Sequence, residues 1–400
     1  MTILTGCLLL LASIAGHTEY WVMLVNRTHS LGISYLILKA FRKLHDLAVV
    51  LFAAFVIWKL GVCPNGLLTG GTFAGQPRWA QNLLLFTIPG TIPLIVGILR
   101  WHLVMKRDFH RTDSSRTYDV SAPAVTPSAG NNVKGTRMHL SRLFPLNEIY
   151  HLQINEKSVH LSGEVGSSSE FRQEVKNTSP IRIVHFSDLH FVGCPGEGYY
   201  QWLFDRAMEM KPDVFAFTGD LIDDPTLLPL ACRLLKPLTE IAPCFFVLGN
   251  HDWRFDSSEI RKQVEQTGWI DVSGNAITLK LADRNIVICG TERPWLGKAP
   301  PVVHQHTADL KLLLSHGPDQ LRFAQRSGFN LMLAGHTHGG QVVLPVIGPV
   351  FAPSWYGVRY ASGLFRIDTL NLHVSRGVGG KDPMRWRCPP ELTCLNVFVD

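Results

Sequence analysis

The second half of this sequence contains five short apolar runs, each of which stops abruptly at a group of polar side chains. The clearest run is Cys244-Phe245-Phe246-Val247-Leu248, which leads directly into Gly249-Asn250-His251-Asp252. A short apolar run that ends in small and polar residues is typical of a buried strand that delivers its last side chains to a site. Five such ends predict one shared metal site. The other four groups are Asp188-Leu189-His190, Gly219-Asp220-Leu221-Ile222-Asp223, Ser315-His316 and Gly335-His336-Thr337-His338.

The donor atoms in these groups indicate the kind of metal. Carboxylate, imidazole and amide ligands without thiolates suit divalent manganese, iron or zinc. If the chain is extended there, Asp188 and His190 point the same way and chelate one ion. A single carboxylate, Asp220, could bridge to a second ion. Asn250, His316 and one histidine of the Gly335-His336-Thr337-His338 turn would complete that second ion, and the other histidine would return to the first.

Two metal ions about 3.5–4 Å apart can clamp a phosphate group and provide a nucleophile at neutral pH. His251, which binds neither ion in this scheme, would protonate the leaving oxygen. Asp252 would hold the imidazole of His251 in one tautomer. A structural role is the alternative for any single histidine, and it is the one we assign to His185, His304, His306 and His373, which lie outside the five groups.

Together the motifs resemble the signature of the calcineurin-like metallophosphoesterases: Asp-x-His, Gly-Asp-x-x-Asp, Gly-Asn-His-Asp, a lone histidine and Gly-His-x-His. The resemblance runs from about Ile181 to the C-terminus. It implies an α/β fold, the four-layer αββα sandwich, and a two-metal phosphoester hydrolase with His251 as proton donor. The first-metal ligands that it implies are Asp188, His190, Asp220 and His338, and those of the second metal are Asp220, Asn250, His316 and His336.

Other segments are similar to the bacterial membrane-associated branch of this superfamily, namely Gly339-Gly340-Gln341, Ser375-Arg376-Gly377 and Arg385 to Leu392. That branch includes phosphodiesterases and UDP-2,3-diacylglucosamine hydrolases of lipid A synthesis. The resemblance implies a lipid-linked or nucleotide-linked phosphoester or pyrophosphate as substrate. Guanidinium groups pair bidentately with phosphate, so the candidate substrate-binding residues are Arg254, Arg376 and Arg385.

The first hundred residues are predominantly apolar. A membrane span takes about 20 apolar residues, and Ile3–Val25, Leu44–Val62 and Leu83–Met105 predict two to three transmembrane helices. Whether the first segment spans stays open, and a buried helical bundle is the alternative. The roles of four ionisable residues in or beside these segments also stay open; they are His17, Glu19, His45 and Asp46.

Charge around these segments predicts their orientation. Basic residues cluster after the first and third segments, whereas the loop between the second and third carries only Arg78. Because basic loops remain cytoplasmic, we expect an inner (cytoplasmic) membrane protein whose catalytic domain faces the cytoplasm. The basic residues are Arg27, Lys39, Arg42 and Lys43, then Lys106, Arg107, Arg111 and Arg116.

The composition divides the chain into three predicted regions. Residues 1–111 form an all-α membrane region, 112–140 a polar linker rich in Ser, Pro, Thr, Gly and Asn, and 141–400 the metallophosphoesterase domain, which begins with a hairpin over Ile149–Leu161. The net charge of +6 is too small to indicate a nucleic-acid partner. Two other functions stay open beside the membrane-anchored hydrolase: a tethered enzyme with a soluble substrate, and a metal-free interaction module on the same fold.

Overall fold

The computed structural model describes residues 2–109, 112–121, 144–161, 179–192, 195–281, 283–300, 308–380, 382 and 384–399. The chain forms two compact units. The first consists of Met1–Leu103 together with Val346–Arg359, and the second of Val104–Pro345 together with Tyr360–Asp400.

The first unit is built from apolar helices. These are α1 (Ile3–His29), α2 (Tyr35–Val56, continued by a π-helical turn over Ile57–Val62), α3 (Arg78–Thr87) and α4 (Thr91–Phe109). Three stretches, Ile3–His29, Tyr35–Val62 and Arg78–Leu103, are long and apolar enough to cross a membrane, and only 28%, 17% and 17% of their most apolar parts are buried. A water-soluble bundle would bury its apolar face. The exposed apolar surface therefore favours membrane association over the alternative of a buried bundle.

Small residues bring the helices of this unit close together. Ser13 Oγ and Thr87 Oγ1 lie 2.7 Å apart, and a Cβ atom at Gly16 would lie 1.9 Å from the carbonyl oxygen of Thr87. Only glycine permits that approach, as is common between membrane helices. The segment Val346–Arg359 also belongs here, since the Ala352 N–H donates to Asn26 Oδ1 over 3.1 Å. The sequence had predicted this segment as part of the catalytic domain.

The second unit contains two sheets. The strands of the described chain are β1 (Thr112–Asp119), β2 (His151–His160), β3 (Ile181–Phe186), β4 (Val214–Thr218), β5 (Cys244–Val247), β6 (Ile270–Asp271), β7 (Ala276–Leu281), β8 (Arg284–Thr291), β9 (Leu310–Ser315), β10 (Leu331–Ala334), β11 (Val343–Leu344), β12 (Gly348–Pro349, in the first unit), β13 (Gly363–Ile367), β14 (Leu370–Val374) and β15 (Glu391–Phe398). The seven-stranded sheet has the order β1-β2-β15-β3-β4-β5-β6, and the six-stranded sheet has the order β13-β14-β10-β9-β8-β7.

Alternating side chains on the strands create two apolar cores. Ile183 of β3 packs between the two sheets with residues such as Leu312, whereas Phe186 of the same strand packs beneath the helices that cover the seven-stranded sheet. Those helices are α5 (Glu197–Glu209), α6 (Leu228–Leu235) and α7 (Ser257–Glu265), and α8 (Leu321–Arg326) contacts the six-stranded sheet at β14. The predicted α/β fold with a helical N-terminal region is confirmed.

The predicted linker begins with a strand. β1 pairs antiparallel with β2 at the edge of the seven-stranded sheet, and its side chains are mostly exposed. β2 pairs on its other side with β15, so the predicted hairpin over Ile149–Leu161 is a single strand. Residues 122–140 of the predicted linker lie outside the described residues.

The topology explains why the polar groups converge. β3, β4 and β5 are mutually parallel in one sheet, and β9 and β10 are parallel in the other. Each of these five strands ends within two residues of one of the polar groups. Because the carboxyl ends of parallel strands meet at one edge of a sheet, each sheet gathers its own groups at a single edge.

Candidate metal centre

The predicted ligands lie on tightly turned backbone rather than on extended strands. We expected Asp188 and His190 to alternate along an extended chain, but their φ angles are +57° and +47°. Positive φ is uncommon for residues other than glycine, and strained backbone of this kind clusters at functional sites. The two side chains nevertheless converge, so the grouping holds although its reason was wrong. Three further predicted ligands share positive φ: Asp220, His336 and His338.

Four side chains form the first donor group. Asp188, His190, Asp220 and His338 each offer a ligand atom, and these atoms lie within 4.8 Å of one another. Nε2 of His338 is 3.3 Å from Oδ1 of Asp188, and Nε2 of His190 is 3.5 Å from Oδ2 of Asp220. The two Nε2 atoms are only 3.1 Å apart. Carboxylates and imidazoles directed at one point are a donor set that a divalent cation fits.

The second donor group shares one oxygen atom with the first. Oδ2 of Asp220 is also 3.3 Å from Nε2 of His316. The same nitrogen lies 3.0 Å from Oδ1 of Asn250 and 3.1 Å from Nδ1 of His336. The structure therefore places His336 with the second group and His338 with the first, and Asp220 is positioned between the two.

Electrostatics suit cation binding. Burial by itself raises the pKa of Asp220, but the nearby imidazoles, chiefly that of His316, outweigh it and hold the pKa well below its usual value. Burial lowers the pKa of His338 to about 3 and also lowers that of His336. Neutral imidazole and ionised carboxylate are the forms that bind metal, so Asp220, His336 and His338 are held in these forms. Burial lowers the pKa of His316, but the Asp220 carboxylate outweighs it and raises this pKa to about 9, so a divalent cation would have to displace a proton from His316. With that proton displaced, the donor set fits the two divalent ions that the sequence resemblance implies.

Asp223 contacts both His251 and His190. Its Oδ1 lies 2.6 Å from Nδ1 of His251, and its Oδ2 lies 2.8 Å from Nδ1 of His190. Burial lowers the pKa of His190, but the Asp223 carboxylate outweighs this effect and raises it to about 10. One carboxylate thus links a donor-group histidine to the predicted proton donor. Asp223 was missed as a site residue, although it is the last residue of the Gly-Asp-x-x-Asp motif.

Asp252 has different partners from those predicted. Its carboxylate is buried and accepts hydrogen bonds from the backbone N–H groups of Leu221 (2.9 Å), Ile222 (3.2 Å) and Gly249 (2.9 Å). These bonds tie the turn that carries Asp220 to the turn that carries Asn250. The predicted orienting contact to His251 is therefore made by Asp223, and Asp252 holds two turns together.

The three predicted phosphate-binding arginines differ in their surroundings. Arg254 lies beside the proposed acid, with Nη1 at 3.2 Å from Nδ1 of His251. The side chain of Arg376 contacts Glu391 through Nε (3.1 Å) and Nη2 (2.8 Å). Arg385 is fully buried and donates to the carbonyl oxygens of His338 (2.9 Å) and Arg376 (2.7 Å). Arg376 and Arg385 thus support the site from within, and Arg254 is the best placed to meet a substrate.

An aromatic ring covers the second donor group. Trp295 is nearly buried, and its ring centroid lies 4.8 Å from that of His336 and 5.5 Å from that of His316. Trp295 restricts the positions that the two imidazoles can occupy.

Comparison with known proteins agrees with this geometry. Residues 181–340 match the family described as calcineurin-like phosphoesterase. The chain is 30% identical over 226 residues to phosphodiesterase YaeI of Escherichia coli, a match that covers 55% of this chain and 83% of that protein. It is 32% identical over 233 residues to the uncharacterized metallophosphoesterase YkuE of Bacillus subtilis, covering 54% and 79% of the two chains. UDP-2,3-diacylglucosamine pyrophosphatase LpxG of Chlamydia trachomatis is 23% identical over 354 residues, covering 72% and 97%.

Proposed function

This chain belongs to the calcineurin-like phosphoesterase family and is a metal-dependent phosphohydrolase, and we propose that it is anchored in a membrane and hydrolyses a lipid-linked phosphoester or pyrophosphate. The observation that carries the proposal is the presence, on one chain, of two donor groups sharing Asp220 and three helices apolar enough to span a bilayer. The division of the chain into two compact units supports domain boundaries that differ from the predicted ones, with β1 in the catalytic unit and Val346–Arg359 in the helical unit.

The similarity to LpxG supports a lipid-linked substrate. That protein's name describes action on UDP-2,3-diacylglucosamine, a nucleotide sugar with two acyl chains. Its match covers 72% of this chain, which is more than the stretch from Ile181 to the C-terminus can supply, whereas the match to YaeI covers 55%. The longer similarity therefore includes residues before the catalytic motifs.

We assign the two donor groups as ligands of two divalent ions, manganese, iron or zinc. Such ions supply electrophilic stabilisation of a phosphoryl group and a nucleophile at neutral pH. His251 then gives a proton from its ring to the leaving oxygen. Asp223 keeps that ring in place through its 2.6 Å contact with Nδ1, so Nε2 is the atom left to carry the proton. Arg254 orients a phosphate oxygen beside the ring.

A substrate comparison tests this proposal. Purified protein with added manganese is assayed on UDP-2,3-diacylglucosamine, on UDP-N-acetylglucosamine and on bis-p-nitrophenyl phosphate. We expect the acylated nucleotide sugar to have the highest kcat/KM, and the Asp220→Asn and His338→Ala variants to be inactive on all three. Equal kcat/KM for acylated and non-acylated compounds would refute the lipid-linked substrate.

A second candidate is a phosphodiesterase that acts on a soluble substrate and is merely tethered to the bilayer. The 30% identity to phosphodiesterase YaeI favours it. Its signature in the same assay would be efficient hydrolysis of soluble diesters with no gain from acyl chains.

A further inference from the structure

The helical unit contains a cavity of about 190 Å³ whose lining includes none of the donor-group residues. α1, α4 and the segment Val346–Arg359 form its walls, and all of them belong to this one unit. Much of the lining is apolar and includes Val22, Met23 and Leu94. The charged residues of the lining are Glu19, Arg27, Arg100 and Arg359.

The two helices bring their arginines to the same end of the cavity. α1 approaches the start of α4 at Gly16, where an added Cβ would lie 3.2 Å from the Thr91 nitrogen. Further along each helix, a Cβ at Gly97 would meet Val358 at 4.0 Å, and one at Gly357 would meet Asn26 at 3.8 Å. The helices therefore run in the same direction along the cavity. With a rise of about 1.5 Å per residue, Arg27 lies roughly 12 Å beyond Glu19.

Contacts within the helical unit fix the shape of the charged end of the cavity. Asn26 is buried and holds the Ala352 N–H, which fixes Val346–Arg359 against α1. Arg27 lies over the ring of Trp355, 5.9 Å from its centroid. Within the part of the chain that the structure describes, no carboxylate oxygen comes within 4.0 Å of the guanidinium nitrogens of Arg27 or Arg100. Arg27 and Arg100 outnumber the single carboxylate of the lining, that of Glu19, whose charge interacts with that of Arg27.

Shape and charge together indicate the ligand. One water-sized group of atoms needs about 10–15 Å³ of cavity volume, so the cavity has room for on the order of a dozen non-hydrogen atoms. That is enough for a phosphate and the first part of the molecule that carries it. Guanidinium groups bind phosphate bidentately, and the apolar walls lie on helices long enough to cross a bilayer. We propose that this cavity binds the phosphate-bearing head of an amphipathic lipid, whose apolar chain follows Met23 and Leu94. This inference rests on the proposed membrane anchoring.

Binding is best measured without turnover. The full chain carrying Asp220→Asn is held in detergent micelles, and dioctanoyl phosphatidic acid is titrated by calorimetry. Losing one charge-assisted hydrogen-bonding partner raises Kd about tenfold, and we expect this for Arg27→Gln and for Arg100→Gln. Gly97→Phe keeps every charge but fills the cavity, so it also raises Kd. Arg78→Gln is the matched control, because it removes a charge from the same unit outside the lining, and it leaves Kd unchanged.

Each outcome decides one point. If Arg27→Gln, Arg100→Gln and Gly97→Phe all bind like Arg78→Gln, with helical content preserved by circular dichroism, the proposal is overturned. If inorganic phosphate displaces the lipid at equal concentration, the site holds free phosphate and the lipid proposal is wrong. Hydrolysis by the wild-type protein without phosphatidic acid binding refutes the cavity alone, and binding without hydrolysis refutes the proposed reaction alone.

The source of the lipid is separable by kinetics on UDP-2,3-diacylglucosamine with active protein. A KM raised about tenfold by Arg100→Gln, with kcat unchanged, identifies the substrate as the occupant. An unchanged KM beside weakened phosphatidic acid binding identifies a bilayer phospholipid. Hydrolysis of bis-p-nitrophenyl phosphate by Arg100→Gln should equal that of the wild type in either case.

Discussion

Replacing Asp223 by asparagine should disable the proposed proton donor while the turns around it stay joined. In the structure each carboxylate oxygen of Asp223 contacts a different imidazole, that of His251 at 2.6 Å and that of His190 at 2.8 Å. Asparagine has a single acceptor oxygen, so one of these two Nδ1 atoms must lose its acceptor. The change therefore affects the orientation of the acid and, less directly, of one donor-group histidine.

The size of the effect follows from these contacts. Removing a partner that orients a metal-binding histidine typically lowers activity or metal affinity about 10–100-fold, and general acid catalysis contributes about 10²–10⁴-fold. With metal in excess, we expect kcat of Asp223→Asn to fall roughly 100-fold for substrates with high-pKa leaving groups. The loss should shrink for nitrophenolate, which departs without a proton. His251→Ala should show the same trend with a larger loss and should retain its metal.

Asp252→Asn is the matched comparison. It makes the same chemical change at the carboxylate that joins the turn carrying Asp220 to the turn carrying Asn250. Its two oxygens accept from the backbone N–H groups of Leu221, Ile222 and Gly249. Whichever oxygen becomes the amide, at least one buried N–H loses its acceptor, which costs about 1–3 kcal/mol. We expect a lower free energy of unfolding and an activity loss that does not depend on the leaving group.

The assay is a leaving-group series of aryl phosphodiesters on wild type, Asp223→Asn, Asp252→Asn and His251→Ala, with metal content and urea unfolding measured on the same preparations. If Asp223→Asn loses the same factor in kcat for every leaving group, its orienting role is refuted. If Asp252→Asn instead loses more kcat as the pKa of the leaving group rises, and its stability is normal, the orienting role belongs to Asp252, as the sequence first predicted.

Three further predictions test the metal centre, the topology and the acid stability. Asp220→Asn should abolish hydrolysis and lower bound metal below two ions per chain by elemental analysis, because both donor groups share Oδ2; full occupancy with normal turnover would contradict the shared site. A reporter fused after Arg116 should be active in the cytoplasm and one inserted at Gly70-Gly71 outside it, because basic loops stay inside; the reverse pattern would refute the proposed orientation. Burial raises the pKa of Glu391, but Arg376 outweighs it and holds the pKa at about 2, so Glu391 contributes stability that is full above its ordinary pKa and is lost as the pH falls towards 2. Glu391→Gln should thus lower the free energy of unfolding by about 3 kcal/mol at pH 7, a difference that should vanish in acid, and a pH-independent difference would contradict the argument.

The sequence alone predicted the seven side chains that the structure brings together in the two donor groups, although it missed Asp223 beside them. Strand, turn and ligand are neighbours along the chain, so an apolar run that stops at Asp188 or Asn250 already predicts both the strand and the polar group at its end. Apolar length works in the same local way, and the three predicted membrane segments correspond to the three long apolar helical stretches of the structure. These features depend on residues within a few positions of one another.

Contacts between distant segments were decided only by the fold. The polar composition of β1 predicts a linker, and only its pairing with β2 makes it an edge strand. The segment Val346–Arg359 packs with helices that lie more than 240 residues earlier in the chain. The same reason separates Asp223 from Asp252. Asp252 is adjacent to His251 in sequence, yet its turn directs the carboxylate to the Leu221 backbone, while Asp223 approaches His251 from another strand end. A hydrogen-bond partner is selected by proximity in space, and that proximity comes from sheet topology that local sequence patterns do not encode.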